Sequence, residues 1–154
     1  MAAPMNEDIE ELLHRESIQL ATIQKRSVAF FIDEVLLSVI LMIVLWDSFT
    51  QATTTTEIIA LTNAFVFEYM AMKIVYQTFF IYQYGATLGK LAMKIYVMDV
   101  KTLTTPVITV ALNRAIFRII SEMLFYLGFL WGILTPERQT WHDKTARTLV
   151  VSGE

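Results

Sequence analysis

Long apolar stretches alternate with polar segments along this chain. The apolar stretches cover residues 28–46, 58–82 and 111–134. The nineteen residues of the first stretch, at the rise of an α-helix, extend about 28 Å, close to the thickness of a bilayer's hydrocarbon core. The pattern therefore predicts an all-α polytopic membrane protein in which the first two stretches form a transmembrane hairpin.

The third apolar stretch has a different pattern. Polar residues recur at every fourth position of its first half, namely Arg114, Arg118 and Glu122. Only residues 123–134 are free of charge, and that length of helix extends about 18 Å, which is too short to cross a bilayer. Either the whole segment spans with Arg118 snorkelling towards an interface, or an amphipathic helix precedes a re-entrant turn near Gly128 and Gly132.

The distribution of basic residues predicts the orientation. Lys25 and Arg26 precede the first stretch, loop 47–57 contains no Lys or Arg, and bases return after the second stretch. By the positive-inside rule the N-terminus is then cytoplasmic. A straight third crossing would place outside the bases near the C-terminus, which are Arg138, Lys144 and Arg147. We therefore favour the re-entrant or interfacial alternative, with the C-terminus also cytoplasmic.

The remaining segments predict a leader and a small sheet. Residues 1–24 combine an apolar stripe at helical spacing with an acidic face, which indicates an amphipathic leader helix lying on the membrane surface or on its own protein. Three runs rich in β-branched residues, 95–100, 107–110 and 148–152, favour strands. Because isolated strands are marginal, we expect two of them to pair on the cytoplasmic side. Residues 25–154 would then form the membrane domain.

Composition supports the membrane class. Of 154 residues, 55% are hydrophobic and 18% charged, and the mean hydropathy is +0.51, too apolar for an ordinary small soluble domain. The formal net charge is −3 and no strong basic stripe lies away from the apolar stretches, so nucleic acid is not an expected partner. The absence of Cys excludes disulfides and thiolate metal sites. No pattern of a removable signal peptide is recognised.

Charged residues inside the first two stretches are the main candidates for chemistry. The first stretch contains Asp33, and the second contains Glu68 and Lys73. A charge within the hydrocarbon core costs about 2.5–3.5 kcal/mol on insertion scales, so each of these needs a partner or a task. Asp33 and Lys73 lie at similar depths by helical rise. We therefore predict that Asp33 pairs with Lys73 or with Arg118.

The C-terminal segment holds a second polar set. His142 and Asp143 could handle protons, but His14 is the one other His in the chain, so a metal site has little to build from. We interpret the pair as a hydrogen-bonded anchor that ties the C-terminal segment to the helices. We predict that Asp143 contacts Arg26 or Arg114 at the cytoplasmic surface.

No catalytic or nucleotide-binding motif is recognised in the sequence. The run GATLGK at 85–90 lacks the glycine spacing of a phosphate-binding loop and the Ser or Thr after its Lys. We interpret it as a turn that brings a basic segment to the level of the lipid headgroups. No nucleophile with a matching base and no metal set is recognised, so we expect neither an enzyme nor a bound cofactor or metal.

Polar residues from both ends of the chain form an ordered pattern. Arg26 precedes the first helix, Asp33 lies within it, and a Gly-x-Thr-x-Gly-Lys turn follows the second apolar stretch. That turn and the C-terminal part of the pattern comprise Gly85, Thr87, Gly89, Lys90, Arg138, Gln139, His142, Asp143, Lys144, Thr148, Val150 and Val151. The combination, over about residues 25–151, resembles the RDD family of membrane proteins, whose name refers to one Arg and two Asp.

The resemblance carries those three name-giving residues onto Arg26, Asp33 and Asp143. It implies a membrane protein from a functionally heterogeneous family. Some members are connected with cation/proton exchange, and others look like accessory domains that are fused to or assembled with other membrane machinery.

These observations lead to two functional hypotheses. The expected functional cluster comprises Arg26, Asp33, Glu68, Lys73, Arg114, Arg118, His142 and Asp143. The first hypothesis is a small integral membrane module, held together by this cluster, that self-assembles or serves as an accessory subunit of a membrane complex. The alternative is an oligomeric transporter that moves a monovalent cation or a proton through Asp33 and Glu68. We expect a bacterial cytoplasmic membrane as the location, with lipid, further copies or another membrane protein as partners.

Overall fold

A computed structural model describes residues 5–124 and 127–153, with side chains from residue 9 onwards in that range. The helices are α1 (Met5–Arg15), α2 (Ile23–Val44), α3 (Trp46–Gln51), α4 (Thr55–Ala64), α5 (Val66–Tyr84), α6 (Leu88–Ala92), α7 (Ile108–Met123), α8 (Leu127–Leu134) and α9 (Trp141–Ala146). The strands are β1 (Ile95–Asp99) and β2 (Thr148–Ser152). The chain is therefore mostly helical with a small sheet, as predicted.

Helix α2 is the clearest span. Its N-cap residue Thr22 accepts a hydrogen bond from the Lys25 backbone N–H, at 3.3 Å, which starts the helix five residues before the predicted apolar stretch. Within the described residues, α2 is the one helix that is long and apolar enough to cross a membrane unaided. Its buried residues Ala29, Asp33 and Leu37 recur every four positions, so one stripe packs inwards and the rest of the surface suits lipid.

The second apolar stretch forms two helices rather than one. Helices α4 and α5 meet at Phe65 with a bend of 44°, and together they match one span in length and composition. Thr54 and Glu57 form a capping box at the start of α4. Gly85 ends α5 with a φ of 69°, a left-handed conformation that favours glycine.

The third apolar stretch is also broken. Helices α7 and α8 are bent by 104°, so a single straight crossing is wrong, and the geometry fits a broken span or a re-entrant loop. The described chain leaves α7 at Leu124, before the glycines at which we predicted the turn. Gly128 and Gly132 lie inside α8 and are buried. A Cβ at these positions would overlap with Ser121 and Thr140 respectively, so α8 packs closely against both residues. The part of the prediction that concerns residues 125–126 lies outside the described residues.

The two strands pair antiparallel, from Ile95 opposite Ser152 to Asp99 opposite Thr148. This confirms that two of the three predicted runs pair. The third run, 107–110, is not a strand, because α7 begins at Ile108 and its inward positions recur at helical spacing. Leu20 bridges to Val151 beside the sheet.

The segment before α2 and the C-terminal strand thus lie at the same end of the molecule. The backbone N–H of Ala21 donates to the carbonyl of Val150 at 2.9 Å, and that of Ser152 donates to the carbonyl of Gln19 at 2.8 Å. We call this the sheet end.

The leader is a shorter helix than predicted. Residues 1–4 and the side chains of Glu7 and Asp8 lie outside the described part, and α1 ends at Arg15. Ile9 is buried, and with Leu12 it lines a cavity shared with Val100 and Arg147. One face of α1 therefore packs against its own protein.

Candidate functional site: a buried charge network

Acidic and basic side chains from α2, α5, α7 and α9 contact other elements of the chain between the helices. We call this set the charge network and define it as Arg26, Asp33, Glu34, Lys73, Arg114, Arg118, Glu122 and Asp143. It contains six of the eight residues predicted as the functional cluster. His142 lies beside it, and Glu68 lies apart from it.

Asp33 is fully buried and accepts three hydrogen bonds. The Tyr76 hydroxyl and the Gly89 backbone N–H donate to Oδ1 at 2.7 and 2.8 Å. The Thr87 hydroxyl donates to Oδ2 at 2.6 Å. We call these four residues the Asp33 clasp, and it joins α2 to α5 and to the start of α6.

The predicted pairing of Asp33 with Lys73 or Arg118 is wrong. The prediction compared depth along two helices, but the turn after α5 folds back onto α2 and delivers neutral donors to the carboxylate. A carboxylate that accepts several such bonds is stabilised without a cation in contact.

Gly89 is what allows this turn to reach α2. A Cβ at Gly89 would overlap with the carbonyl oxygen of Ala29 and would lie 2.9 Å from Asp33 Oδ1. The neighbouring Thr87 caps α6 by accepting from the Lys90 backbone N–H at 3.4 Å, while Leu88 N–H donates to the Tyr76 hydroxyl at 3.1 Å. The Gly-x-Thr-x-Gly-Lys pattern is thus explained by close packing and by donors for Asp33.

A second group of ion pairs joins α2, α5 and α7. Lys73, which is 4% exposed, contacts Glu34 at 2.7 Å and also contacts Glu122. Arg118 contacts Glu122 at 3.2 Å and Glu34 at 3.6 Å, and it lies over the ring of Phe30. Lys73 and Arg118, both buried, therefore each contact the same two half-buried carboxylates, Glu34 and Glu122.

The third group centres on Asp143, which is fully buried. Its carboxylate contacts Arg26 at 2.5 Å and also contacts Arg114, which confirms the predicted partners. Thr140 adds a hydroxyl donor at 2.8 Å and a backbone donor at 3.1 Å. Burial would raise the pKa of Asp143, but the positive charges of Arg114 and Arg26 hold it well below its usual range. Asp143 is therefore ionised at neutral pH.

Further hydrogen bonds tie the C-terminal segment to this group. Arg114 donates to the Thr148 hydroxyl at 2.7 Å, and the Gln139 side-chain amide donates to the Thr148 carbonyl at 3.0 Å. Arg26 also donates to the carbonyl of Arg138. The predicted anchoring of the C-terminal segment to the helices is confirmed in its contacts.

His142 is buried within this anchor. Its Nε2 lies 3.0 Å from the Thr140 hydroxyl, and its ring lies 5.3 Å from that of Phe129. Burial lowers the pKa of His142 well below its ordinary value, and although Asp143 opposes this shift, the nearby arginines add to it. The ring is therefore neutral at physiological pH. Among the described residues no group of three His, Asp or Glu side chains could hold a metal ion.

Glu68 is not part of the network. Its side chain is exposed on α5, and within residues 5–124 and 127–153 it has no ion pair or hydrogen bond. The structure therefore does not bring Glu68 and Asp33 into one polar pathway.

The predicted cluster omitted three residues that contact its members, namely Glu34, Glu122 and Tyr76. The sequence did carry a signal for the two acids, because Glu34 stands next to Asp33 in an apolar helix and Glu122 lies four residues after Arg118. Tyr76 carries no comparable signal, because an aromatic residue in an apolar helix is ordinary.

The model of the RDD family matches residues 20–147. That range includes the whole charge network and excludes α1. No curated protein and no solved structure shows a significant match.

Proposed function

Because the chain belongs to the RDD family and has apolar helices typical of membrane association, we propose that it is a small integral membrane module that acts by association. The charge network would hold the helices of one copy together. The lipid-facing surface would bind a second copy or another membrane protein. No catalytic activity is part of this proposal.

The carboxylates of the charge network all have partners within the chain, which supports a structural role. Each of its four carboxylates, at Asp33, Glu34, Glu122 and Asp143, accepts a hydrogen bond or ion pair from another element of the same chain. Buried charges that are paired in this way stabilise one specific arrangement of helices, because breaking a pair leaves an uncompensated charge.

Glu68 is the observation that carries the association proposal. It lies thirteen residues after Thr55 and sixteen before Tyr84, so it is about 20 Å of helix from the start of the α4–α5 pair and about 24 Å from its end. An exposed carboxylate at that depth would cost about 2.5–3.5 kcal/mol if it faced lipid. A donor from another chain removes that cost.

The proposed topology places both chain ends in the cytoplasm of a bacterial cell. Helix α2 and the α4–α5 pair would form the transmembrane hairpin, and α7–α8 would form the re-entrant element. The location of Lys25, Arg26, Lys90 and Lys94 supports this orientation through the positive-inside rule. The hydrogen bonds between residues 19–21 and β2 support a common side for both ends.

Native mass spectrometry of the full chain in mild detergent tests the proposal. We expect a dimer or larger assembly, and we expect Glu68→Gln to weaken it about tenfold or more, because it replaces a charge-assisted hydrogen bond. Asp47→Asn, an exposed change on the short helix α3, is the matched control and should leave the mass unchanged. A wild-type monomer that also captures no membrane protein in cells after cross-linking would contradict the proposal.

The alternative function is an oligomeric cation or proton transporter that uses Asp33 and Glu68. The exposed carboxylate of Glu68 favours it to a degree, since intramembrane carboxylates serve such relays. Reconstitution into liposomes with a pH-sensitive dye separates the two functions. Cation-driven proton flux that Glu68→Gln abolishes would support transport, whereas an assembled protein without flux would support association.

A further inference from the structure

A cavity of about 240 Å³ lies between the start of α2 and helices α6 to α9. Its charged lining residues are Arg26, Lys90, Arg114 and Arg118, and among the described residues its lining contains no Asp or Glu. His142 also faces the cavity, with a neutral ring. The cavity is therefore cationic on its polar side.

Lys90 is the one of these cations that the charge network does not explain. It is 8% exposed, and in the described part of the chain its ammonium has no ion pair or hydrogen bond. Burial, followed by repulsion from Arg118 and Arg114, lowers the pKa of Lys90 to about 7. An unpaired buried ammonium is costly, and a bound anion would compensate it.

The local balance of charge points the same way. The charge network counted together with Lys90 comprises the cations Arg26, Lys73, Lys90, Arg114 and Arg118 and the carboxylates Asp33, Glu34, Glu122 and Asp143. Within this set the five cations outnumber the four carboxylates by one. Asp33 is the carboxylate whose negative charge acts on Lys90. Its oxygens already accept the three hydrogen bonds of the clasp.

The cavity is open and of suitable size. Its lining residues Ser27 and Ile133 are exposed, so it communicates with the surroundings. Its volume corresponds to about eight water molecules at about 30 Å³ each, which admits a tetrahedral oxyanion and part of an attached group. Arg26 lies about 5 Å of helical rise from the start of α2, which is the level of lipid headgroups for a helix that spans.

We propose that this cavity binds a phosphate group, with Lys90 as the ammonium that pairs with it and Arg118 and Arg26 as further donors. Arginine and lysine are the side chains that bind phosphate most effectively, through charge-assisted hydrogen bonds. The apolar walls at Phe30 and Phe129 would pack against whatever the phosphate carries. The phosphate could belong to an anionic lipid or to the free ion, and the proposal does not depend on association between copies.

The test compares these two sources on the purified full chain. Inorganic phosphate is titrated against the protein in detergent, and phosphatidic acid is compared with phosphatidylcholine in mixed micelles, with the unfolding midpoint as the readout. We expect the unfolding midpoint to rise. A rise with phosphatidic acid alone indicates a lipid headgroup as the source, a rise with phosphate alone indicates the free ion, and a rise with both indicates that the cavity accepts either. Lys90→Met should reduce the apparent affinity about tenfold or more, because it removes the charge that pairs with the ligand. Lys94→Met, an exposed change near the same helix, should have no effect.

A second variant keeps the test decisive if Lys90→Met does not fold. Ser27→Asp adds a negative charge at the exposed mouth of the cavity without touching the network, and we expect the same weakening. The proposal would be overturned if neither ligand raised the midpoint of the wild type. It would also be overturned if the folded Lys90→Met and Ser27→Asp variants bound as tightly as the wild type.

Discussion

Replacing Asp33 tests whether its carboxylate is the acceptor at which α2, α5 and α6 meet. Asp33→Ala removes the acceptor for Tyr76, Thr87 and Gly89. The two hydroxyls can rotate towards other acceptors, but the Gly89 backbone N–H cannot. With a buried donor left unpaired at about 1–3 kcal/mol and the charge-assisted bonds lost, we expect a destabilisation of about 3 kcal/mol or more.

Asp33→Asn should be milder, for a geometric reason. Its amide oxygen can occupy the Oδ1 position, where two donors point, and its NH₂ group then faces the Thr87 hydroxyl. The two bonds to the amide oxygen then lack charge assistance, and the Thr87 hydroxyl must accept instead of donate, which together should cost about 1.5–3 kcal/mol. The expected order of stability is therefore wild type, then Asn, then Ala.

The assay is the free energy of unfolding of the chain in detergent micelles, followed by tryptophan fluorescence. Asp47→Asn is the control, because that exposed residue lies away from the clasp. If Asp33→Asn were as stable as the wild type, the carboxylate would not be acting as an acceptor for all three donors. If Asp33→Ala were no worse than Asp33→Asn, the donors of the clasp would not depend on it.

Two further predictions concern other parts of the molecule. Gly89→Ala should destabilise the chain by about 1–3 kcal/mol or more, because its Cβ would overlap with the Ala29 carbonyl oxygen, which is backbone. In Gly153→Ala the Cβ would meet the exposed ring of Tyr96, which can turn away, so this variant should cost less, and equal effects on the unfolding free energy would contradict the prediction. His142 makes stability depend on pH. Its pKa is lowered in the folded state, so below pH 6.5 the unfolded chain binds a proton that the folded chain does not, and stability is present above that pH and lost as pH falls. The loss should approach about 1.4 kcal/mol per pH unit between about pH 6 and 5, and His142→Gln should show a flatter profile; identical profiles would refute the assignment.

The local amino-acid composition was enough to predict the two strands. The β-branched runs at 95–100 and 148–152 became the paired strands, since each is bounded by turns. The run at 107–110 has similar composition but joins a longer segment with helical periodicity, and the burial of Ala111 and Ala115 on one face of α7 outweighs four residues of β propensity.

The features that the sequence did not predict depend on long-range packing. The bend at Phe65 has no Pro or Gly beside it, so no local signal marked it. The partners of Asp33 depend on how closely a turn approaches α2, which is set by the absence of a side chain at Gly89 rather than by any charge. Depth along a helix indicated which residues share a level, but not which side chains face each other.

Asp143 shows the opposite case. Its predicted contacts with Arg26 or Arg114 are both present, because a buried carboxylate needs basic partners and these arginines lie within reach. The sequence marked Lys90 as basic, but it could not show that its ammonium lies in a cavity without a partner.

The central claim is that ion pairs within one chain hold α2, α5 and α7 together, and a double-mutant cycle on Lys73 and Glu122 measures this most directly. Lys73→Met and Glu122→Gln should each destabilise the chain, the first by about 3–5 kcal/mol because it removes a buried partner of Glu34 and Glu122 and leaves Arg118 as their one cation among the described residues. The double variant should be less destabilised than the sum of the two by about 1 kcal/mol or more in unfolding free energy. Effects that add to within about 0.5 kcal/mol would contradict the claim.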